Sequence, residues 1–353
     1  MEKRLVCLLT RDEKNARKSE GSFIRTDDGR ILFAYSLFRN TDGDDSSACD
    51  IGLLSSADEG ETWQDGGVVV SAELFGVQNV MSCSFIRQQD GRLGLYFLIK
   101  EKDGSSTIGR AVSEDGTVFL PQRCVCHMPH GYYIVNNDRL VRGADGRLLA
   151  PAACALLPQR GLYASTVLYS EDDGGSFVMP KERLTLPYRH TRAGLQEPGV
   201  LFLPDGTLWL WARTDMGYQY EAFSRDGGQT FTPPEPSVFT SPCSPMQVKR
   251  MESGTVYAVY NPIPAYNGRP AEGGATGRTP IVLRRSTDGG VTFGPCHVLG
   301  EDKNRAYCYP ALTECADGKL LVSFCQGRTG GENPMDAYGL YETGIYKIDP
   351  ATF

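Results

Sequence analysis

A tight turn followed by a short apolar run recurs six times along the chain, and a sequence with that rhythm has few ways to fold. The copies are Asp28-Gly29-Arg30-Ile31-Leu32-Phe33, Asp90-Gly91-Arg92-Leu93, Asp145-Gly146-Arg147-Leu148-Leu149, Asp205-Gly206-Thr207-Leu208-Trp209, Ser253-Gly254-Thr255-Val256-Tyr257 and Asp317-Gly318-Lys319-Leu320-Leu321. Their glycines are 62, 55, 60, 48 and 64 residues apart. Asp-Gly and Ser-Gly suit hairpin turns because glycine takes a positive φ without steric cost, and the residues that follow favour strands. Each copy predicts one hairpin.

A second motif, Ser-x-Asp-x-Gly-x-Thr-aromatic, alternates with the hairpins. It runs from Ser56 to Trp63, Ser170 to Phe177 (with Ser176 for threonine), Ser224 to Phe231 and Ser286 to Phe293, and a copy one residue short runs from Ser113 to Phe119. The aspartate can accept from backbone N–H groups, the glycine takes the permissive conformation, and the aromatic anchors the loop. These boxes read as structural. One hairpin plus one box makes one four-stranded blade, which predicts an all-β chain folded as a six-bladed β-propeller of four-stranded antiparallel blades, a single domain over residues 1–353. The sixth blade has no box. Its outer strand is expected from Gly344-Ile345-Tyr346-Lys347-Ile348 or from the N-terminal segment Arg4–Leu9 closing the ring.

Composition narrows the partners. A net charge of −7 argues against nucleic acid as a general partner, since phosphate binding needs a basic surface. Eleven cysteines form neither a disulfide framework nor paired metal-binding spacings, and the four histidines show no ligand spacing, so reduced thiols and no metal or other cofactor are expected. The apolar run after Met1-Glu2-Lys3-Arg4 is only five residues long, short of a signal segment, and nothing approaches a membrane span, which points to a cytoplasmic protein with no membrane association. Oligomeric state is not legible.

The boxes resemble the Asp-box, or bacterial neuraminidase repeat, of the sialidase superfamily. That resemblance implies a propeller with a sugar pocket at its centre, holding three arginines for a substrate carboxylate, a tyrosine nucleophile, a glutamate that activates it and an aspartate acid/base. The chemistry is coherent. A carboxylate on the anomeric carbon repels an anionic nucleophile but not a neutral phenol, whose high pKa then calls for a base.

The segment Glu197 to Arg213 is similar to the sialidase stretch that supplies the activating glutamate and second arginine. A strand that rises, turns and returns brings both ends to one rim. The third arginine is expected at Arg278. Arg305-Ala306-Tyr307-Cys308-Tyr309 resembles the nucleophile segment, with Tyr307 as the nucleophile and Tyr309, on the same face by alternation, as the alternate. Asp44 or Asp45, in the loop ahead of the first box, is expected as acid/base. Arg17 stands near the first arginine's place, but no Ile-Pro follows it, and Glu20 close by would repel an acidic substrate or shape a different sugar site.

Other polar residues suit hydroxyl and amide recognition. Asn137, Asp138 and Arg139 precede the third hairpin, and Tyr218 follows Arg213, so these four are candidate substrate contacts; capping of their own turns would serve equally. The expected function is an exo-acting glycoside hydrolase that releases a terminal sialic or related acidic sugar with retention, its partner a glycan or oligosaccharide. A propeller glycosidase or lyase for another sugar and a non-catalytic glycan-binding propeller are the alternatives.

Overall fold

The second strand of each repeat is apolar almost without interruption: Ile31–Arg39, Leu93–Lys100, Leu148–Leu157, Leu208–Arg213, Val256–Tyr260 and Leu320–Cys325. Continuous runs of this kind belong to strands covered on both faces. The computed structural model, which describes residues 2–39, 43–157, 161–187, 189–265, 277–331 and 334–353, places these strands inside small antiparallel sheets packed face to face. Phe33, Trp211, Phe239 and Phe324 are fully buried between them. The only helical elements among the described residues are short 3-10 turns, and no helix is long and apolar enough to cross a membrane.

The arrangement is propeller-like, but the ladders do not divide into six separate four-stranded sheets. Hydrogen bonding links the described strands into five sheets, three of four strands, one of six and one of eight. In the eight-stranded sheet, Cys49–Ser56 meets Asn79–Arg87 through the single parallel pair Cys49↔Asn79, so two four-stranded units are fused at one point. The six-stranded sheet gains members because its inner edge is broken into Tyr133–Ile134 and Val141–Arg142, and because Val125–His127 adds parallel to Ser176–Val178. The segment between the two inner pieces, which holds Asn136 to Arg139, is free to leave the ladder.

Both expected candidates for the last outer strand are used. Thr343–Asp349 pairs with Leu320–Cys325, and Glu2–Leu9 adds outside it, with Glu2 opposite Asp349 and Leu9 opposite Thr343.

The boxes act as predicted. In the first, Ser56 Oγ donates to Asp58 Oδ1 at 2.8 Å, the Gly60 and Thr62 N–H groups donate to Ser56 Oγ and Asp58 Oδ1 at 2.9 Å, and Thr62 Oγ1 donates to Asp58 Oδ2 at 2.5 Å. The boxes at Ser170, Ser224 and Ser286 repeat this set. Each box glycine lies on the neighbouring unit. A Cβ on Gly60 would come within 2.6 Å of Leu321, and one on Gly174 within 2.3 Å of Tyr96.

A further repeat sits four residues before four of the six hairpin glycines, where Arg25, Arg87, Arg142 and Arg250 end their strands. Arg87 donates to Gly91 O in its own turn and to Arg25 O in the preceding unit, both at 2.7 Å. Arg142 does the same with Gly146 O at 2.9 Å and Arg87 O at 3.0 Å, and Arg250 reaches Phe202 O at 2.7 Å. At the sixth position Glu314 reverses the polarity and accepts from Ser253 N–H at 2.9 Å. These clasps tie the second unit to the first, the third to the second, the fifth to the fourth and the sixth to the fifth.

Candidate active site

The first strands of the units face one another around the centre. Asn15–Arg25 packs against Asn79–Arg87 and Cys308–Glu314, and Gln247–Arg250 lies between Gln196–Phe202 and Cys308–Glu314. A regular strand would alternate its side chains, yet four of these strands carry a register shift. The shifts fall at Ser19/Ser22, Met81/Ser84, Gln196/Gly199 and Cys308/Ala311. Inside each sits a left-handed residue that is not glycine: Glu20 (φ 57°), Ser82 (56°), Glu197 (44°) and Tyr309 (51°); Asp138 (55°) matches them in the broken third inner edge. Such a conformation costs on the order of 1–3 kcal/mol per residue and persists where surrounding structure over-determines it. Here it turns the side chains of Glu20, Ser82, Glu197 and Tyr309 toward one cluster.

Within that cluster the Tyr309 hydroxyl donates to Glu197 Oε1 at 3.1 Å, and Arg213 Nη1 donates to Glu197 Oε2 at 2.8 Å. Arg213 Nε also contacts Cys243 Sγ at 3.2 Å. The guanidinium of Arg278 lies 5.6 Å from the Tyr309 ring centre, and its buried Nε has no hydrogen-bond partner. Ser82 Oγ donates to Glu20 Oε2 at 2.7 Å, and the other Glu20 oxygen takes Arg17 Nη2. Arg17, only 1% exposed, further spends Nη1 on Asp45 Oδ1 at 2.6 Å and Gly43 O at 3.2 Å, and Nε on Ser19 Oγ at 2.8 Å.

A family model described as a BNR repeat-like domain matches residues 29–322. The chain belongs to this BNR repeat-like family. No curated protein matches it. Among solved structures it is similar to a protein of unknown function from Dyadobacter fermentans (18% identity, 98% of this chain and 99% of that one, TM-score 0.71). It is also similar to the Hadza microbial sialidase Hz136 (17%, 97% and 67%, TM-score 0.72) and to the intramolecular trans-sialidase from Ruminococcus gnavus in complex with oseltamivir carboxylate (13%, 96% and 96%, TM-score 0.70). At these identities the likeness establishes a sialidase-like fold.

The BNR repeat-like chain departs from the sequence expectations at several residues. Tyr307 is not paired with Glu197. Its hydroxyl accepts from Asp302 N–H at 3.2 Å, and its ring packs edge-on against Phe324 at 5.9 Å. Alternation put both tyrosines on one face; the register shift and the left-handed Tyr309 send them apart. Arg17 is committed to protein acceptors and does not stand open as a substrate grip. Asp44 closes its own turn, accepting from Ser46 N–H at 2.8 Å and Ser46 Oγ at 2.5 Å, whereas the Asp45 carboxylate reaches the cluster. Residues 40–42 of the same loop lie outside the described residues.

Asn137, Asp138 and Arg139 form an axial knot instead of a sugar-facing surface. Asp138 accepts from Ser22 Oγ at 2.8 Å, Lys249 Nζ at 2.7 Å and Leu312 N–H at 3.3 Å, while its own N–H donates to Cys83 O at 3.0 Å. Asn137 Nδ2 donates to Gly21 O at 2.8 Å, and Arg139 Nη1 donates to Gln247 Oε1. The carboxylate is saturated by the protein. Tyr218 is 39% exposed, at the start of the strand Tyr218–Ser224.

Burial and charge set the electrostatics of the BNR repeat-like site. Burial and the neighbouring Glu197 carboxylate push the Tyr309 phenol well above its ordinary range, against the opposing pull of Arg278 and Arg213. Burial raises Glu20 despite Arg17. At Asp45 burial works the other way, but Arg17, Lys100 and Arg278 outweigh it and hold the carboxyl low. Burial also raises Tyr132, helped by the charges of Asp45, Glu20 and Glu197. Ser82 and Tyr132 belong to polar stretches visible in the sequence; Cys243 carries no pattern that would have marked it. Among the described residues no group of His, Cys, Asp and Glu could hold a metal, and all eleven cysteines are free.

Proposed function

We propose that this protein is an exo-acting glycoside hydrolase that releases a terminal sialic or related acidic sugar with retention, using Tyr309 as nucleophile. The observation that carries the reading is the 3.1 Å hydrogen bond from the Tyr309 hydroxyl to Glu197 Oε1. Glu197 takes the phenolic proton as Tyr309 Oη bonds to the anomeric carbon. Asp45 gives its proton to the departing glycosidic oxygen as that bond breaks. A water, deprotonated by Asp45, then displaces Tyr309 Oη, and the phenol regains its proton from Glu197.

Arg213 and Arg278 grip the substrate carboxylate in this scheme, and Arg17 holds the Asp45 loop. The fold behind it is a six-bladed propeller, with the eight-stranded sheet counted as two blades; support comes from the six hairpins and the clasps that repeat at the same position in successive units. Arg17's double ion pair with Glu20 and Asp45 favours a second reading, a propeller glycosidase or lyase for a different sugar.

The deciding experiment is hydrolysis of a fluorogenic sialoside by wild type, Tyr309→Phe and Glu197→Gln, with the fold of each checked. Turnover in wild type that collapses in both variants supports the first reading. A folded wild type that leaves sialosides intact but cleaves a glycoside of another terminal sugar supports the second, and no turnover across a panel of terminal sugars leaves a glycan-binding propeller.

A further inference from the structure

On the open side of Asp45 the candidate site continues into a cavity of about 510 Å³, lined by Asp45, Asn79, Lys100, Lys102, Ser105 and Tyr132 among others. The Asp45 side chain is half exposed (51%), with Arg17 on one side and this space on the other. A general acid must touch the oxygen of the departing group, so the cavity beside Asp45 is where that group lies. Its volume falls in the range that encloses a drug-sized ligand, more than a methyl or phenyl group needs.

The charge on the cavity wall is uneven. Glu101 is paired with Arg123, Asp45 with an Arg17 that also serves Glu20, and Asp44 is folded into the turn with Ser46. Lys100 Nζ donates to the Asp45 carbonyl at 2.6 Å and sits 5.7 Å from the Tyr132 ring centre, and its charge also acts on the Asp45 carboxylate. Lys102 is exposed on the turn closed by Gly104 N–H and Glu101 O, and it has no ion pair among the described residues. Two ammonium groups, Lys100 and Lys102, therefore share the cavity wall with Asp44 and Asp45, and Lys102 is the one with no carboxylate partner among the described residues. A cation without a carboxylate partner at the wall of a low-dielectric concavity draws an anionic group to it.

We propose that this cavity is a leaving-group subsite for an acidic sugar, so that the substrate is an oligosaccharide with two neighbouring acidic units. The terminal carboxylate lies on Arg213 and Arg278, the second on the wall of Lys100 and Lys102, with the Tyr132 ring beneath the second sugar. The proposal rests on the reading of Asp45 as acid/base and can fail separately from it.

The test compares wild type and Lys102→Glu on three substrates with the same terminal sugar: 4-methylumbelliferyl sialoside, 3′-sialyllactose, whose leaving group is neutral, and α2,8-linked disialic acid. The expected result is a loss of about tenfold in kcat/KM on disialic acid alone, with the other two unchanged and the wild-type preference shrinking as salt is added. Equal effects on all three substrates, or no effect on disialic acid, overturn the subsite. If wild type cleaves none of them, the proposed hydrolase fails and calorimetry with trigalacturonic acid decides the subsite. Salt-dependent binding weakened by Lys102→Glu upholds it, and binding to neither protein or equally to both overturns it.

Discussion

Tyr309 and Glu197, 112 residues apart in sequence, meet through a 3.1 Å hydrogen bond in which both partners sit in left-handed backbone at register shifts of different sheets. Neither side chain would reach the other from a regular strand. The contact is therefore a property of the two bulges as much as of the two side chains.

The two tyrosines of the same strand region should separate cleanly. Tyr309→Phe is expected to lower kcat by a factor on the order of 10³ or more, because it removes the attacking oxygen. Tyr307→Phe removes only the acceptor for Asp302 N–H, and should leave turnover unchanged while lowering stability by about 1 kcal/mol. Steady-state kinetics and denaturant midpoints on both variants check this.

The pH profile should betray the Arg17–Asp45 contact. Asp45 must be protonated to act as an acid, and its folded pKa is depressed, so kcat should fall as pH rises through the low acid range, well below neutrality. Taking away the cation in Arg17→Gln raises the Asp45 pKa, which moves that alkaline limb upward by about one pH unit or more. A pH–rate series on both proteins shows the shift, provided both are folded.

Acid should loosen the boxes. Asp58 and Asp288 are held at about 2, chiefly by the hydroxyls of Thr62 and Thr292 and by the backbone N–H groups of the same residues. A carboxyl whose folded pKa lies below its unfolded value of about 3.9 contributes stability that is complete above pH 4 and lost as pH falls toward 2. Thermal midpoints of wild type should drop over that window, and those of Asp58→Asn with Asp288→Asn should drop less.

The axial knot should matter for stability more than for sugar binding. Asp138→Asn removes the charge partner of Lys249 and disturbs a carboxylate that also receives Ser22 and Leu312, so a loss of about 2 kcal/mol is expected. Urea unfolding measures it, and KM for any cleaved glycoside should stay where it was.

Much of the fold could be read from local chemistry, because Asp-Gly turns and Ser-Asp-Gly-Thr boxes satisfy themselves within a few residues. Glu197 and Arg213 were legible for a similar reason: a short hairpin joins them, and Gln196 does pair with Arg213 across it. The proposed nucleophile was harder. Alternation is the rule by which strand faces are read, and Tyr309 lies at the one place where its strand breaks it. The sequence of Asn137, Asp138 and Arg139 shows polarity but not the direction it faces, and only the broken inner edge sends these side chains across the axis. The arginine four residues before the hairpin glycine was visible at four of six positions, yet its purpose needs the neighbouring unit's carbonyl to be seen.

The pairing of Glu2–Leu9 with Thr343–Asp349 has a consequence for how the ring can be re-cut. Because Glu2–Leu9 and Thr343–Asp349 lie side by side in one ladder, a link between these two strands would be interchangeable with the hairpins that join the other units. Making that link and opening the exposed turn at Asp205-Gly206 would yield a permuted chain with the same neighbours everywhere, in which Glu197 and Arg213 stand near opposite ends of the polypeptide and still meet.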